Sequence, residues 1–206
     1  MRDSLGRSLL FISVLGAVCA AILAATAQWT ADRRSANQEA DKLRHVLAVL
    51  DIPYPPDADP EYLQAIFREN VHIETRHGHR YYWTADRNKP GAVASEFTGR
   101  GLWGPIRGII ALREDLETVS AVSFYDHQET PGLGGQISSR EFLDRFRNKH
   151  VVGSSSQSQL IIRPAGEADL ADNEIHGLTG ATETTRRVQD MLNETINRIR
   201  RDLQDD

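Results

Sequence analysis

The feature that most limits what this chain can fold into is an apolar stretch near its N-terminus, SLLFISVLGAVCAAILAAT at Ser8–Thr26. No charged side chain interrupts it. A helix needs about 20 mostly apolar residues to cross the hydrocarbon core of a bilayer, and this stretch just meets that requirement. We therefore assign residues 1–30 to an N-terminal transmembrane helix.

A cleaved secretory signal is the alternative for the same stretch, because Ala25-Thr26-Ala27 has the A-x-A form of a cleavage site. The apolar core of such a signal is usually about 7–15 residues long, so the greater length favours a retained anchor. Arg2 and Arg7 precede the stretch and Arg33 and Arg34 follow it, so the flanking charges do not decide its orientation. With an internal N-terminus, both alternatives place most of the protein outside the cytoplasm.

Composition limits the rest of the chain to a small set of functions. Its 206 residues, 40% hydrophobic and 26% charged, are enough for one compact domain and a short appendage. The net charge of −5 argues against nucleic-acid binding, which requires a basic surface. The single cysteine, Cys19, excludes an intramolecular disulfide and a multi-cysteine metal cluster.

A helical connector is predicted between the apolar stretch and the domain. Leu43, Val46, Leu47 and Leu50 have the i, i+3, i+4, i+7 spacing of one apolar helix face. A proline-rich segment follows, and Asp59-Pro60 is a favourable helix start because Asp caps a helix and Pro fits its first turn. We assign residues 31–60 to this connector and residues 61–206 to the folded domain. The buried side of the next helix is predicted to comprise Tyr62, Leu63, Ile66 and Phe67.

The centre of the chain has the β-rich pattern of an antiparallel sheet. Val71–Trp83 is predicted to form a hairpin with its turn at His77-Gly78-His79. Ile106–Leu112 and Val119–Tyr125 are two further β-rich runs separated by a polar segment, which predicts a second antiparallel pair.

The last third of the chain is predicted to contain both helices and a short strand. Ser138 and Glu141 have the spacing of a capping box at a helix start. Gln159–Ile162 is a short strand and Asp169–Glu174 an acidic loop. A long helix then has an apolar stripe of Val188, Met191, Leu192, Thr195, Ile196, Ile199 and Leu203. This order of helices and strands predicts a single α+β domain.

The sequence contains no recognisable motif for catalysis by its own side chains. It has no G-x-S-x-G elbow, P-loop, H-E-x-x-H or G-x-G-x-x-G segment. His72, His77 and His79 lack a nearby acid or cysteine that would complete a ligand set, so we predict exposed turn residues and no metal site. A borrowed cofactor fits this pattern better than an unaided enzyme.

A small-residue segment, HGLTGATETT at His176–Thr185, precedes the last helix. Small residues allow a backbone to approach another molecule closely, and a helix N-terminus offers free N–H groups and a positive dipole end to an anion. Threonine is also a good helix cap, so the spacing of the segment by itself favours a capped polar loop over an anion site.

Three ordered segments resemble those of bacterial FMN-binding domains. Thr179-Gly180-Ala181-Thr182 is similar to the S/T-G-A-T flavinylation motif, Glu129–Gly135 (ETPGLGG) to a loop of the family, and Gly101–Ile106 (GLWGPI) to a further segment. The resemblance is greatest to the C subunit of the sodium-translocating NADH:quinone reductase, and it extends to the related G subunit of the Rnf complex.

The resemblance implies FMN joined to the hydroxyl of Thr182 through a phosphoester. The implied cofactor-binding residues are Thr182, Thr179, Gly180, Ala181, Glu129, Thr130, Leu133, Gly134 and Trp103. For Trp103, packing in the core is an equally good explanation of the sequence. No catalytic residue and no metal ligand is implied.

One departure from the family pattern lies beside the attachment motif. The family has an aspartate three residues before the first hydroxyl residue, where this chain has His176. Because a separate flavin transferase performs the attachment, this change bears on covalent loading more than on FMN binding.

The resemblance implies an electron-relaying subunit of a respiratory redox complex, working with other membrane subunits and matured by a flavin transferase. It implies a single-pass protein of the bacterial inner membrane with a periplasmic main domain. A Rnf-type or stand-alone FMN electron carrier is one alternative, and a flavin-free anchored assembly module is another.

Overall fold

The N-terminal helix dominates the first of two compact units. The computed structural model describes residues 2–85, 91–151, 160–166 and 169–204. Helix α1 spans Arg2–Val49, and the chain divides into Met1–Ala40 and Asp41–Asp206. In the first unit, Gly6–Ala31 is long and apolar enough to cross a membrane, and none of its apolar window is buried by protein. The predicted apolar helix near the N-terminus is thus confirmed.

The second unit is built on a five-stranded antiparallel sheet in which every strand pairs with its neighbour in the sequence. Its order is β1-β2-β3-β4-β5. The strands are β1 (Val71–Arg76), β2 (His79–Thr84), β3 (Ala92–Arg100), β4 (Pro105–Arg113) and β5 (Val119–His127). Because neighbouring strands run antiparallel, β3 and β5 point in the same direction, and the turn after β3 and the loop after β5 lie at the same end of the sheet.

Helices and a small second sheet complete this unit. Helix α2 (Pro60–Asn70) precedes the sheet; a 3-10 helix (Gly134–Ser138) and helix α3 (Arg140–Asp144) follow it. Strands β6 (Ile161–Arg163) and β7 (Glu174–His176) pair in parallel, and helix α4 (Thr182–Gln204) ends the described chain.

Helix α4 packs its apolar stripe against the sheet. Val188, Leu192, Ile196 and Ile199 are fully buried in one core with residues of β2, β3, β4 and β5. The helix approaches β3 closely, because a Cβ added at Gly99 would lie only 2.3 Å from the sulfur of Met191. The predicted apolar stripe is confirmed.

Side chains of α4 also hold the small sheet. Asn193 accepts a hydrogen bond from the N–H of Leu160 (2.8 Å) and donates one to its carbonyl (2.9 Å). Gln189 accepts one from the N–H of Ile162 (2.7 Å). The two amides therefore satisfy backbone groups at the free edge of β6, where an additional strand would otherwise be needed.

The end of α1 is part of the second unit and contacts the sheet through buried apolar and polar side chains. Val46 and Leu47 are buried, the ammonium of Lys42 lies 2.7 Å from Glu96 Oε1, and His45 Nδ1 lies 2.6 Å from Ser123 Oγ. Burial lowers the pKa of His45, although Asp41 acts in the opposite direction.

Most predicted elements are present. The hairpin at Val71–Trp83, the second antiparallel pair and the helix capped by Asp59 are confirmed, with Asp59 Oδ1 accepting from the N–H of Tyr62 at 2.7 Å. The α+β class is confirmed as well. The predicted position of Tyr62 on the buried side of α2 is wrong, since its side chain is 52% exposed.

One strand was missed, and two other predictions need correction. Strand β3 was not predicted, because its sequence AVASEFTGR contains few residues with high β-propensity. The cap of α3 is Ser139, not Ser138: Ser139 Oγ accepts from the N–H of Phe142 at 3.3 Å. Glu174 belongs to β7 and not to a loop, and Gln159 of the predicted strand lies outside the described residues.

A buried phenol should make the folded state less stable at alkaline pH. Burial, together with a 2.6 Å hydrogen bond donated to Asp202, raises the pKa of Tyr81 from 10.0 to about 12. The folded state therefore favours the protonated phenol, and this stabilisation is complete below pH 10 and lost as the pH rises towards 12. We expect the free energy of unfolding, measured by chemical denaturation, to fall across this interval.

The Tyr81→Phe variant should show a smaller fall, because it removes the titrating group while keeping the ring. Tyr62→Phe, at a half-exposed tyrosine of α2, serves as the control and should leave the slope unchanged. A Tyr81→Phe slope equal to that of the unmodified protein would refute the assignment.

Candidate functional site

The carboxylate of Glu129 joins the three segments singled out in the sequence. Its side chain is only 5% exposed. Oε1 accepts hydrogen bonds from the backbone N–H groups of Leu102 (2.8 Å) and Trp103 (3.3 Å) in the turn after β3. Oε2 accepts one from the hydroxyl of Thr184 in the first turn of α4 (2.7 Å). Three distant parts of the sequence therefore meet at one side chain.

Two glycines leave the space that this carboxylate occupies. A Cβ added at Gly101 would lie 2.3 Å from Glu129 Oε1, and one added at Gly134 would lie 2.7 Å from Oε2. Gly134 is buried beside Glu129, so it supports the loop from within. The glycines of the GLW and ETPGLGG segments thus have a steric role in assembling the site.

The ETPGLGG loop folds around the carbonyl of Thr130. That carbonyl accepts hydrogen bonds from the N–H groups of Leu133 (3.1 Å) and Gly135 (2.9 Å). The turn leaves Thr130 exposed and presents Leu133, whose side chain is 46% exposed.

The small-residue segment brings Leu133 and the start of α4 together. Gly180 has φ of 75°, and a Cβ added there would lie 3.1 Å from Leu133 Cδ2. Ala181 is buried, whereas Thr179 and Thr182 are exposed on either side. Thr182 is the first residue of α4, so its hydroxyl is accessible beside helix N–H groups that lack intrahelical partners.

Apolar side chains around this site remain in contact with solvent. Trp103 is 69% exposed and Leu102 is 44% exposed. The core-packing explanation for Trp103 is therefore wrong. Large apolar groups held on the surface are suited to cover the flat face of a ligand.

Electrostatics at the start of α4 favour a bound anion. The positive end of the helix dipole lies at Thr182, and the acidic residue next to it, Glu183, is paired. Arg186 and Arg187 lie 2.8 and 3.0 Å from Glu183 Oε1. The hydrogen bond from Arg186 lowers the pKa of Glu183, so the residue is ionised but locally compensated.

His176 lies at the end of β7, directly before the small-residue segment. Its Nδ1 is buried and has no hydrogen-bond partner among the described residues. Its backbone carbonyl and that of Gly177 each accept a hydrogen bond from the Arg145 guanidinium at 3.0 Å. The nearby acid Glu174 is already bound to Arg163 (2.6 Å), whose hydrogen bond lowers the pKa of that carboxyl.

The unit also contains a cavity lined by other residues. That cavity, of about 470 Å³, is lined by residues of β3, β4, β5 and α4 that include Glu96, Arg107 and Arg198. None of the predicted site residues lines it. The described residues also contain no group of three His, Cys, Asp or Glu side chains that could hold a metal ion.

Comparison with known families agrees with this arrangement. Residues 101–197 match the family described as FMN-binding domain. The matched region begins at the GLW segment and includes the ETPGLGG loop, the small-residue segment and most of α4.

Proteins similar to this chain include C subunits of Na(+)-translocating NADH-quinone reductases. The chain is 32% identical over 108 residues to the C subunit of the Na(+)-translocating NADH-quinone reductase of Vibrio alginolyticus, covering 52% of this chain and 42% of the relative. Its similarity to the same subunit of Pasteurella multocida is 23% identity, covering 91% of this chain and 88% of the relative. The chain thus spans less than half the length of one relative and most of the other.

Solved structures share the fold. The Shewanella oneidensis NqrC structure has a TM-score of 0.66 at 20% identity and covers 76% of this chain and 93% of its own. The C subunit of the Parabacteroides distasonis Na(+)-translocating NADH-quinone reductase also has a TM-score of 0.66, at 21% identity, and covers 79% and 91%. At 20–21% identity, the similarity to these two structures shows a shared fold.

Sequence reasoning missed one residue at the centre of the candidate site. Thr184 lies two residues beyond Thr182, is 2% exposed, and donates to Glu129. Its sequence signal is weak because a buried threonine near a helix start usually bonds its own helix, as Thr185 does with the carbonyls of Ala181 and Thr182.

Replacing Gly180 tests the contact between two segments of the site. Gly180→Ala forces a residue with a Cβ into the left-handed conformation, at a cost of roughly 1–2 kcal/mol, and it also compresses Leu133. Gly132→Ala is the matched control, because φ there is 77° but the added Cβ meets nothing within 4 Å. Chemical denaturation should show a larger loss of stability for Gly180→Ala; equal losses would mean that the Leu133 contact contributes nothing.

Proposed function

We propose that this protein is a membrane-anchored flavoprotein subunit that relays electrons through FMN joined by a phosphoester to Thr182, within a sodium-translocating NADH:quinone reductase. The observation that carries the proposal is the exposed Thr182 hydroxyl at the N-terminus of α4, inside a matched FMN-binding domain. The names of the relatives favour this setting over a Rnf-type complex.

The residues present fit FMN in both charge and shape. Thr179, Gly180 and Ala181 would surround the phosphate side, where the helix dipole and the compensated Glu183 favour an anion. Thr130, Leu133 and Trp103 would line the ring side through exposed side chains. Glu129 and Gly134 would support that side from within.

Bound FMN supplies reversible electron transfer, which this chain lacks in its own side chains. The protein contributes attachment, orientation and partial exclusion of water. The roles proposed for these residues are to hold and orient FMN, so we propose a relay between other redox centres and not catalysis by the chain alone. Exposed side chains such as Trp103 and Leu133 suit electron exchange with a neighbouring subunit.

Anchoring follows from the N-terminal helix. Residues 1–30 would span the bacterial inner membrane, and residues 61–206 would form the periplasmic FMN-binding domain. Residues 31–60 would connect the membrane helix to that domain. Other membrane subunits of the redox complex would be its electron donor and acceptor. A flavin transferase would complete its maturation.

Covalent loading is tested by removing the proposed acceptor. The full chain is co-expressed with a flavin transferase, and washed membranes are denatured and resolved by electrophoresis. We expect a fluorescent flavin band for the unmodified protein and for Thr182→Ser, which keeps a hydroxyl. We expect background fluorescence for Thr182→Ala, because no phosphoester can form there.

Two other outcomes would separate the alternatives. Flavin fluorescence retained by Thr182→Ala would refute attachment at this residue, and Thr179→Ala would then be the next variant to measure. No flavin in the native, unmodified protein, despite active transferase, would favour a flavin-free assembly module.

The histidine beside the motif should limit the yield of covalent flavin. His176→Asp restores the acid that the family pattern has at this position, so the fluorescent fraction should rise. His176→Asn is the control, since it has nearly the shape of aspartate without its charge. Equal yields from His176→Asp and the unmodified protein would show that the residue does not restrict recognition by the transferase.

A further inference from the structure

We infer that Thr184 is a positioning residue that, through Glu129, fixes the FMN attachment point relative to the apolar side chains that would hold the flavin ring. The inference rests on the proposed function, because it assigns a role to residues beneath the same site. Neither residue has to touch the flavin for this role.

Hydrogen bonds connect Thr184 and Glu129 to both sides of the site. Thr184 lies on α4 two residues after Thr182, so the helix backbone connects it rigidly to the proposed attachment point. Its hydroxyl donates to one oxygen of Glu129 at 2.7 Å, and the other oxygen accepts from the N–H groups of Leu102 and Trp103. One carboxylate thus ties the helix start to the segment that presents Trp103.

Glu129 differs from the other buried acids of this unit in the nature of its partners. Glu174 is paired with Arg163, and Asp202 lies 3.5 Å from His77 Nδ1. Among the ion pairs of the described residues, none includes Glu129. Two backbone amides and a hydroxyl hold it instead.

Neutral donors of this kind make the carboxylate sensitive to the loss of any one of them. A buried charged acceptor that loses a partner keeps its desolvation cost, and the remaining hydrogen bonds must hold it alone. A Cβ added at Gly134 would lie 2.7 Å from Glu129 Oε2 and 2.8 Å from Thr184 Oγ1, so the glycine leaves the space in which these two atoms meet. A hydroxyl lost at Thr184 should therefore loosen the turn that carries Leu102 and Trp103.

The experiment compares two threonines of the same helix. Thr184→Val removes the hydroxyl with little change of shape, and Thr184→Ser restores it. Thr195→Val is the matched control, because Thr195 is also buried (3% against 2% exposed) but its hydroxyl donates to the carbonyl of Met191 within α4. All variants are made in the full chain in detergent micelles, with thermal denaturation recorded for each.

Hydrogen exchange is the first readout and needs no flavin. On the Thr182→Ala background, which keeps FMN from being attached, exchange of the Leu102 and Trp103 amides is measured by mass spectrometry or NMR. Thr184→Val should accelerate it roughly tenfold to a hundredfold, the range expected for losing one hydrogen bond to a charged group. Thr184→Ser should restore slow exchange, and Thr195→Val should leave it slow.

Flavin mobility is the second readout, in protein loaded through Thr182. Thr184→Val should retain covalent flavin but show a larger fast component in the decay of flavin fluorescence anisotropy, because the ring contacts are no longer fixed relative to the attachment point. Thr184→Ser should resemble the unmodified protein.

Three results would overturn the inference: unchanged amide exchange in Thr184→Val, equal acceleration in Thr195→Val, or unchanged flavin mobility in loaded Thr184→Val. Failure of the proposed function looks different, because the unmodified protein would then carry no covalent flavin. In that case the exchange readout alone decides whether Thr184 positions the Trp103 turn.

Discussion

The packing of α4 across strand β3 is the interaction on which the rest of the second unit depends. Its buried stripe supplies one side of the core, and Gly99 allows the helix to lie close to the sheet. The same helix has a different task at each end. Its N-terminus presents Thr182, and its last turns place Asp202 against Tyr81. A shift of this helix along the sheet would therefore disturb the site and the far end of the core together.

The meander explains why segments distant in sequence form one site. Strands β3 and β4 are joined by the turn that contains Trp103, and β5 leads directly into the ETPGLGG loop at the same end of the sheet. Helix α4 begins beside them, and Glu129 closes the arrangement with hydrogen bonds to both neighbours. The chemistry is thus carried by loops, while strands and a long helix fix their positions.

Local patterns predicted the parts of the fold whose stability is local. The β1–β2 hairpin was predicted because the turn at His77-Gly78 and the aromatic residues beside it are adjacent in sequence. Helix α4 was predicted because its helical pattern of apolar residues continues over several turns. Strand β3 was missed because it is held by two neighbouring strands more than by its own residues. Strand β6 was predicted in part, as Gln159–Ile162, but β7 and the parallel pairing were missed, since three residues give no period and side chains of α4 complete the small sheet. Only the site residues that belong to recognisable motifs could be predicted from the sequence. The hydrogen bond between Glu129 and Thr184 joins residues 55 positions apart and leaves no periodic or compositional signal.

The exposure of the side chains at the site has a consequence for binding strength. A freely diffusing cofactor must be held by contacts alone, which is why such sites are usually deep and enclose most of the ligand. A cofactor tethered at Thr182 would instead be present at an effective concentration set by the length of its tether, on the order of millimolar for short flexible links. Exposed side chains such as Trp103 and Leu133 would then need only weak affinity for the ring. Exposed side chains would be sufficient contacts under those conditions, and the same exposure would give an electron-transfer partner access to the ring.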